Sequence, residues 1–171
     1  YLVTDLLLLS NLETQPRKSN CVEMPQLLQK IRENNESVQG SAGRVTLKLE
    51  SQANLFGDAQ ELHSAFSNLI ENALKYSPAQ APVAVSWRET GLALEFCVAD
   101  QGEGIAETEI PRITERFYRV DVKRPEKVAG TGLGLAIVKH VLIRHDAKLC
   151  IRSRLQQGSE FICQFPLERR C

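Results

Sequence analysis

The stretch "GTGLGLAIVKHV", Gly130 to Val141, places glycines directly ahead of an apolar pattern with helical spacing. Glycine allows backbone N–H groups to approach a ligand closely, and the N-terminus of a helix attracts anions. The stretch therefore predicts a phosphate site. Taken alone, it leaves a dinucleotide, ATP and a plain helix start as alternatives.

The surrounding sequence argues against a dinucleotide. That fingerprint requires a buried strand before the glycines and a glycine at its third position. The preceding run "DVKRPEKVAG" does not have a strand pattern, and Ile137 occupies the third position. A glycine-rich loop whose N–H groups wrap a triphosphate, followed by a helix N-terminus, fits the stretch better.

The composition limits the class of protein. A chain of 171 residues is long enough for one well-cored domain with a short appendage. The formal net charge is zero, with 21 basic and 21 acidic residues, so no nucleic-acid partner is predicted. The longest apolar run, Leu6 to Leu9, is too short to span a membrane.

The five cysteines have no C-x-x-C spacing. Cys97, Cys150 and Cys163 lie inside apolar runs, which is typical of small core residues in a reducing compartment. The sequence therefore predicts neither a disulfide framework nor a zinc site.

Periodicity and turn residues predict a mixture of helices and mostly antiparallel strands. Pro16 and the polar stretch after it mark a boundary between residues 1–15, a linker at 16–24 and a domain at 25–171. This order indicates an α/β sandwich with one sheet covered on one face by helices. The predicted helices are 1–13, 25–34, 58–75, 111–117 and 133–145, and the predicted strands are 44–50, 83–88, 92–99, 148–153 and 160–165.

Two segments carry candidate polar sites. In the helix "DAQELHSAFSNLIENALKY", Asn68, Glu71, Asn72 and Lys75 share an arc of about 100° opposite the apolar face. Amide oxygens aligned in this way suit Mg²⁺, although a solvated helix face is the alternative. In "VADQGEGI", Asp100 ends a strand and the glycines that follow let the chain pass close to a planar ring, unless the segment is only a tight turn.

Four motifs in order resemble those of one known family. "NLIENALKYSP", "DQGEG", "FYRVD" and "GTGLGLAIVK" resemble the N, G1, F and G2 boxes of sensor histidine kinases, and "GSEF" resembles the last turn of that domain. "TERFYRVD" and "RHDAKL" are most similar to phosphate regulon sensor kinases. The resemblance implies a Bergerat-type ATP-binding fold over residues 25–171. It also implies that residues 1–15 end the second helix of a dimerisation domain.

The resemblance also implies roles for individual residues. Asn72 matches the Mg²⁺ ligand, Asp100 matches the carboxylate that reads adenine, and Asn68 supports the phosphate site. Asn68, Lys75 and Arg119 are implied to act in catalysis. The remaining residues implied to bind the nucleotide are Tyr76, Gly102, Gly104, Ile105, Phe117, Tyr118, Gly130, Thr131, Gly132, Leu133, Gly134 and Leu135.

The implied activity is phosphoryl transfer from Mg-ATP to a histidine. Related ATPases that hydrolyse ATP typically carry a glutamate four residues before the metal asparagine, whereas this sequence has Asn68 there. His63, His140 and His145 do not lie in the acceptor motif of the family, so each is predicted to be structural. The implied partners are a dimerisation domain of the same homodimeric protein and a response regulator. The implied location is the cytoplasmic side of a bacterial inner membrane, reached through segments absent from this sequence. A non-catalytic nucleotide-binding module and a hydrolysing ATPase are the alternatives.

Overall fold

From the second helix onward, each helix is followed by a pair of strands. The computed structural model describes residues 2–37, 42–120 and 131–171. In order, the elements are α1 (Leu2–Thr14), β1 (Asn20–Val22), α2 (Met24–Glu36), β2 (Val45–Leu49), β3 (Leu55–Gly57), α3 (Ala59–Tyr76), β4 (Val83–Glu89), β5 (Ala93–Asp100), α4 (Gly134–Arg144), β6 (Lys148–Ser153) and β7 (Ser159–Pro166), followed by a 3₁₀ turn at Leu167–Arg169.

Five strands form one sheet in the order β2-β4-β5-β7-β6. The β2–β4 pair is parallel, and the other three pairs are antiparallel. Helices α2, α3 and α4 pack against one side of this sheet. The predicted two-layer α/β sandwich with a mostly antiparallel sheet is therefore confirmed.

The core lies between the helices and the inner face of the sheet. Alternate residues of β4, ending in Trp87, are buried because successive side chains of a strand point to opposite faces. Phe66 of α3 stacks on Phe96 of β5 with ring centroids 4.1 Å apart, and Phe165 of β7 meets Phe66 edge-on. Burying these aromatic rings supplies much of the apolar area that stabilises the two layers.

The start of α3 is held by a local cap and a distant pair. Asp58 caps the helix by accepting from the backbone N–H groups of Gln60 and Glu61, at 2.9 and 3.1 Å. The side chain of Glu61 does not complete a capping box. Instead, both of its oxygens accept from the guanidinium of Arg144, at 2.7 and 3.2 Å.

Arg144 also joins α1 to the rest of the fold. Helix α1 packs on α4 and buries Leu9 and Leu12. Arg144 Nη1 donates to the carbonyl oxygens of Leu12 and Gln15, both at 2.8 Å. Leu12 belongs to the last turn of α1, whose carbonyl oxygens have no partner within the helix, and Gln15 follows the last helical residue, so Arg144 caps this end.

Arg144→Ala is expected to lower the free energy of unfolding by about 3 kcal/mol, because it leaves the buried Glu61 carboxylate without its cation. Urea denaturation would measure the change. Arg154→Ala, which removes an exposed arginine, is the matched control and should change stability by less than about 0.5 kcal/mol. Equal effects of the two variants would contradict the assignment.

The secondary-structure prediction was wrong in two places. The helix predicted at Pro111–Phe117 is replaced by turns, and Phe117 has a positive φ of 62° that an α-helix excludes. The short strands β1 and β3 were not predicted. They pair with each other over three residues each, which is too short for an alternating pattern to be seen in the sequence.

The cysteine prediction was also wrong in part. Cys97 and Cys163 are buried as expected, and Cys150 is partly buried. Cys21 and Cys171, however, form a disulfide with their Cα atoms 5.9 Å apart and 150 residues apart in sequence. No local spacing could indicate this pair, because only the fold brings β1 close to the residues after β7.

Candidate nucleotide site

A cavity opens where the end of β5, the C-terminal half of α3 and the start of α4 meet. Its volume is ≈ 110 Å³. The lining residues are Asn72, Tyr76, Asp100, Glu103, Gly104, Ile105, Ile113, Tyr118, Arg119, Val120, Leu135, Ser159 and Phe161. The lining combines apolar walls with a small number of polar groups, which is typical of small-molecule sites.

Asp100 occupies a constrained position in this cavity. It is the last residue of β5 and lies opposite Ser159 of β7 in the ladder. Its Oδ1 accepts from the backbone N–H of Gly102 at 2.9 Å. Burial raises the pKa of Asp100, and backbone hydrogen bonds from Gly102 and Ser159 oppose that rise. The carboxylate is therefore held in place by the backbone of two elements.

The loop after Asp100 forms one wall of the cavity. Gly104 has a φ of +75°, and a Cβ there would collide with the carbonyl of Arg154 in the turn between β6 and β7. Ile105 N donates to Ser153 Oγ at 2.7 Å, and that hydroxyl lies 2.7 Å from Ser159 Oγ. A serine pair on the last hairpin thus positions the glycine loop.

Gly102 packs against α3 rather than facing the cavity. A Cβ at this position would collide with the carbonyl oxygen of Tyr76 at the end of that helix. The absence of a side chain therefore allows the loop after β5 to approach the helix end closely. Tyr76 itself lines the cavity, and burial raises the pKa of its hydroxyl.

The predicted polar face of α3 divides into two parts. Asn72 and Tyr76, one helical turn apart, line the cavity, whereas Asn68 and Lys75 do not. Asn68 Nδ2 donates to the carbonyl of Ser64 at 2.8 Å. A Cβ at Gly134 would lie 3.0 Å from Asn68 Oδ1, so Asn68 faces the N-terminus of α4. Lys75 is exposed.

The residues on either side of 121–130 are joined to each other. Phe117 N donates to the carbonyl of Gly132 at 2.9 Å. Gly132 has a φ of +73°, and a Cβ there would lie 2.8 Å from Phe117 Cα, so no larger residue fits. Phe117, which was predicted to lie beside the nucleotide, is 57% exposed and is not among the residues that line the cavity.

Of three further residues predicted to bind the nucleotide, two line the cavity and one does not. Tyr118 and Arg119 line the cavity, and Tyr118 is held by a hydrogen bond to Glu109 and by Arg112, whose Cζ lies 4.3 Å from the ring centroid. Thr131 Oγ1 donates to Asp5 of α1 at 2.8 Å and does not line the cavity.

The predicted residues around the start of α4 also differ in whether they line the cavity. Leu133 is buried in the core, and Leu135 lines the cavity. Gly134, the first residue of α4, contacts Asn68 as described and does not line the cavity. Gly130 was also predicted to contact the nucleotide and lies outside the described residues.

Several residues that line the cavity were not predicted from the sequence. Ser159 and Phe161 come from the "GSEF" turn, which was noted only as a motif, and Glu103 lies between the two glycines of "DQGEG". Ile113 and Val120 complete the apolar wall. Their contribution depends on which way the segment from 106 to 120 folds back, and nothing in the local pattern indicates that direction.

Comparison with known proteins identifies the architecture. The family model described as histidine kinase-, DNA gyrase B-, and HSP90-like ATPase matches residues 57–169. The chain belongs to this ATPase family. Its match begins at the end of β3 and includes every element that lines the cavity, so the predicted resemblance is confirmed.

Sensor kinases are prominent among the relatives of this ATPase-family chain. The phosphate regulon sensor protein PhoR of Pseudomonas aeruginosa is 44% identical over 167 residues, which cover 96% of the chain and 38% of that protein. The sensor-like histidine kinase SenX3 of Mycolicibacterium smegmatis is 43% identical over 112 residues, which cover 66% of the chain and 29% of that protein. The chain therefore spans well under half the length of these relatives.

Solved structures agree with the fold. Full-length ShkA in complex with AMPPNP superposes with a TM-score of 0.83 and 25% identity, covering 96% of the chain and 35% of ShkA. The mycobacterial sensor histidine kinase MprB superposes with a TM-score of 0.69 and 26% identity, covering 87% of the chain and 97% of that structure. These neighbours and the family match support an ATP-binding role for the domain.

Among the described residues, no group of three or more His, Cys, Asp or Glu side chains is arranged to hold a metal ion. No helix in the described ranges is both long enough and apolar enough to cross a membrane.

Proposed function

We propose that the chain is the catalytic, ATP-binding domain of a two-component sensor histidine kinase. It holds Mg-ATP so that the γ-phosphoryl group can pass to a histidine on a dimerisation domain and then to a response regulator. The observation that carries the proposal is the Asp100 carboxylate, held by the backbone in a cavity that Asn72, Tyr76 and Arg119 also line.

Adenine fits the inner part of this cavity. Asp100 offers an acceptor for the exocyclic amine of the base, while Ile105, Leu135 and Phe161 offer apolar contacts to its ring. A Cβ has no room at Gly104, which lines the cavity against the last hairpin, or at Gly102, which packs the same loop against the end of α3. These features match a flat heteroaromatic ring with one donor at its edge.

The phosphates are assigned to the outer part of the cavity. Arg119 and Asn72 line it, and the N-terminus of α4 begins beside it at Gly134. We assign Asn72 as the protein ligand of Mg²⁺, which is held in many sites by one or two side chains together with phosphate oxygens and water. The ion would neutralise phosphate charge when bound. We also assign Lys75 and Gly130 to the phosphate end.

Transfer is favoured over hydrolysis by the position of Asn68. Its amide does not accept a proton near neutral pH, and its nitrogen already donates to the Ser64 carbonyl. Glu71 is the nearest carboxylate along the helix and does not line the cavity. The described residues therefore offer no carboxylate at the position from which related hydrolases activate water, and phosphoryl transfer needs mainly positioning and charge neutralisation.

The acceptor histidine is assigned to a segment outside this sequence. His145 is fully buried, and His63 and His140 are only partly exposed and do not line the cavity. Helix α1 leaves Leu2, Val3, Leu6 and Leu7 exposed, which is the apolar face that a helical dimerisation domain would cover. In this proposal the whole protein is a homodimer that faces the cytoplasm from a bacterial inner membrane.

The direct test is phosphoryl transfer between separate proteins. The chain is mixed with Mg²⁺, γ-labelled ATP and a separately produced domain that carries an H-E-x-[RT]-[TS]-P motif. Acid-labile label on that domain is the expected result. Release of phosphate without labelled acceptor would support a hydrolase instead, and absence of ATP binding in calorimetry would support a non-catalytic module.

Asn72→Ala should remove the Mg²⁺-dependent part of ATP affinity, a loss of roughly tenfold that corresponds to about 1.4 kcal/mol. Calorimetric titrations with Mg²⁺ and with a chelator would measure it for both proteins. Gln60→Ala, an exposed amide on the same helix, is the matched control and should retain the response to Mg²⁺. If Asn72→Ala kept the full response, the metal ligand would lie elsewhere.

A further inference from the structure

The five cysteines of this chain comprise three free thiols and one bonded pair. Cys97 and Cys163 are buried, and burial raises the pKa of both thiols, which makes them poor nucleophiles. Cys150 is partly buried. Cys21 and Cys171 are exposed and joined to each other. Reagents in solution can therefore reach the bonded pair while the thiols of the core stay protected.

The bond joins the short strand β1 to the residues that follow β7 and the 3₁₀ turn. Cys21 is the central residue of β1, which pairs with β3 over three residues. Such short two-stranded pairings are marginal by themselves. Just after β1, Met24 N donates to Asn54 Oδ1 at 3.2 Å, and the side chains of Val22 and Met24 are buried in the core.

The other end of the bond is well fixed. Cys171 N donates to the carbonyl of Asn54 at 3.1 Å, and Arg170 bridges Leu55. Arg169 donates to the Phe56 carbonyl at 2.9 Å and pairs with a carboxylate of the turn after α4. The segment that carries Cys171 thus stays with the core whether or not the bond is present.

The disulfide restrains the far end of the connection between α1 and β1. β1 follows α1 after the short segment 15–19. Arg144 holds the start of this segment at the Gln15 carbonyl, and the disulfide holds its far end at Cys21. Reduction would leave this end held by the three-residue β1 pairing and by the buried Val22 and Met24 side chains, without a covalent link.

We propose that Cys21 and Cys171 form a reversible thiol–disulfide site that controls how firmly β1 is attached to the core. The oxidant is a low-molecular-weight disulfide of the glutathione type. One protein thiolate attacks it, forming a mixed disulfide and releasing one glutathione thiolate. The second protein thiolate attacks the mixed disulfide and releases the other. Two protein thiols are oxidised, one glutathione disulfide is reduced, and both protons end on glutathione.

The test compares the chain equilibrated with excess oxidised or excess reduced glutathione. Alkylation and mass spectrometry should show Cys21 and Cys171 blocked in the first buffer and free in the second. Amide hydrogen exchange over residues 19–24 should become roughly tenfold faster on reduction, whereas exchange in β4 and β5 should follow only the overall loss of stability. The melting temperature should fall by on the order of 10 °C, because the bond closes a loop of about 150 residues.

Variants separate the pair from the remaining thiols. In both buffers, the amides of residues 19–24 in Cys171→Ser and, independently, in Cys21→Ser should exchange as fast as those of the reduced parent chain. Cys150→Ser should respond to the two buffers like the parent chain. A bond that survives excess reduced glutathione would overturn the proposal, and so would equal exchange over residues 19–24 in both buffers. None of these readouts involves ATP, so the outcome is independent of the proposed kinase function.

Discussion

Asp100→Asn is expected to lower ATP affinity by about 10- to 100-fold, because the carboxylate is proposed to accept a charge-assisted hydrogen bond from the adenine amine. Asparagine has nearly the same size, and its side-chain oxygen can still accept from Gly102 N. The fold should therefore persist, and calorimetry would measure the loss directly.

A comparison of ATP with GTP tests whether Asp100 recognises the base itself. Adenine has an amino group where guanine has a carbonyl oxygen, and a carboxylate accepts from the first but repels the second. Asp100→Asn adds an N–H donor, so the preference for ATP over GTP should narrow along with the loss of affinity. Parallel titrations with the two nucleotides would give this ratio.

Glu103→Gln is the matched control, because Glu103 is a second carboxylate in the same cavity with no proposed role in reading the base. It should leave the ratio of the two affinities unchanged. Equal changes in both variants would mean that the cavity senses overall charge and that Asp100 does not read the base.

The second large effect concerns stability and rests on His145. The ring is fully buried, with Nε2 accepting from Asp58 N at 3.0 Å and Nδ1 lying 2.7 Å from the Val141 carbonyl. It joins the end of α4 to the cap of α3. The neutral ring suits this site, because Nε2 must accept while Nδ1 donates.

Burial lowers the pKa of His145 from 6.5 to about 4, assisted by Arg17 and Arg169 and opposed by the Val141 bond and by Asp58. Between these two values the unfolded chain binds a proton and the folded chain does not. Stability should therefore fall as the pH drops from 6.5 to 4, by about 3 kcal/mol in total from this residue.

Urea denaturation at a series of pH values across that window would measure the loss. His145→Gln can still accept from Asp58 N and cannot take up a proton, so the loss on acidification should shrink by about 3 kcal/mol even though the variant starts less stable at neutral pH. His63→Gln, at a partly exposed position of α3, should change the profile much less. An unaltered profile in His145→Gln would contradict this account.

The histidines also illustrate how far prediction from the sequence extends. The sequence predicts that His145 is structural, and its burial agrees. Its partner Asp58 is invisible in the sequence because it lies 87 residues away, whereas its other partner, Val141, is only four residues away in α4. A pattern can show that a residue lies outside a motif, but only packing shows what it contacts.

In the candidate site too, local motifs identified residues, whereas packing decided what each of them contacts. Asp100, Asn72 and Tyr76 were identified from local motifs, and the fold places all three on one cavity. Asn68 shares the predicted polar arc of Asn72 but turns toward Gly134 of α4. Helical spacing determines the direction in which a side chain leaves the helix, whereas the neighbouring element determines whether it meets a cavity or another helix.

By itself, the sequence determined the fold class and the main strands and helices, because these depend on periodicity and on glycine and proline signals within a few residues. The family followed from the resemblance of four short motifs, in their order along the chain, to those of sensor histidine kinases. The tertiary structure alone decided the Glu61–Arg144 pair, the serine pair behind the glycine loop, the exposure of Phe117 and the Cys21–Cys171 bond. Each of these depends on how separate elements pack, since residues distant in the chain become neighbours only when the two layers close on a common core.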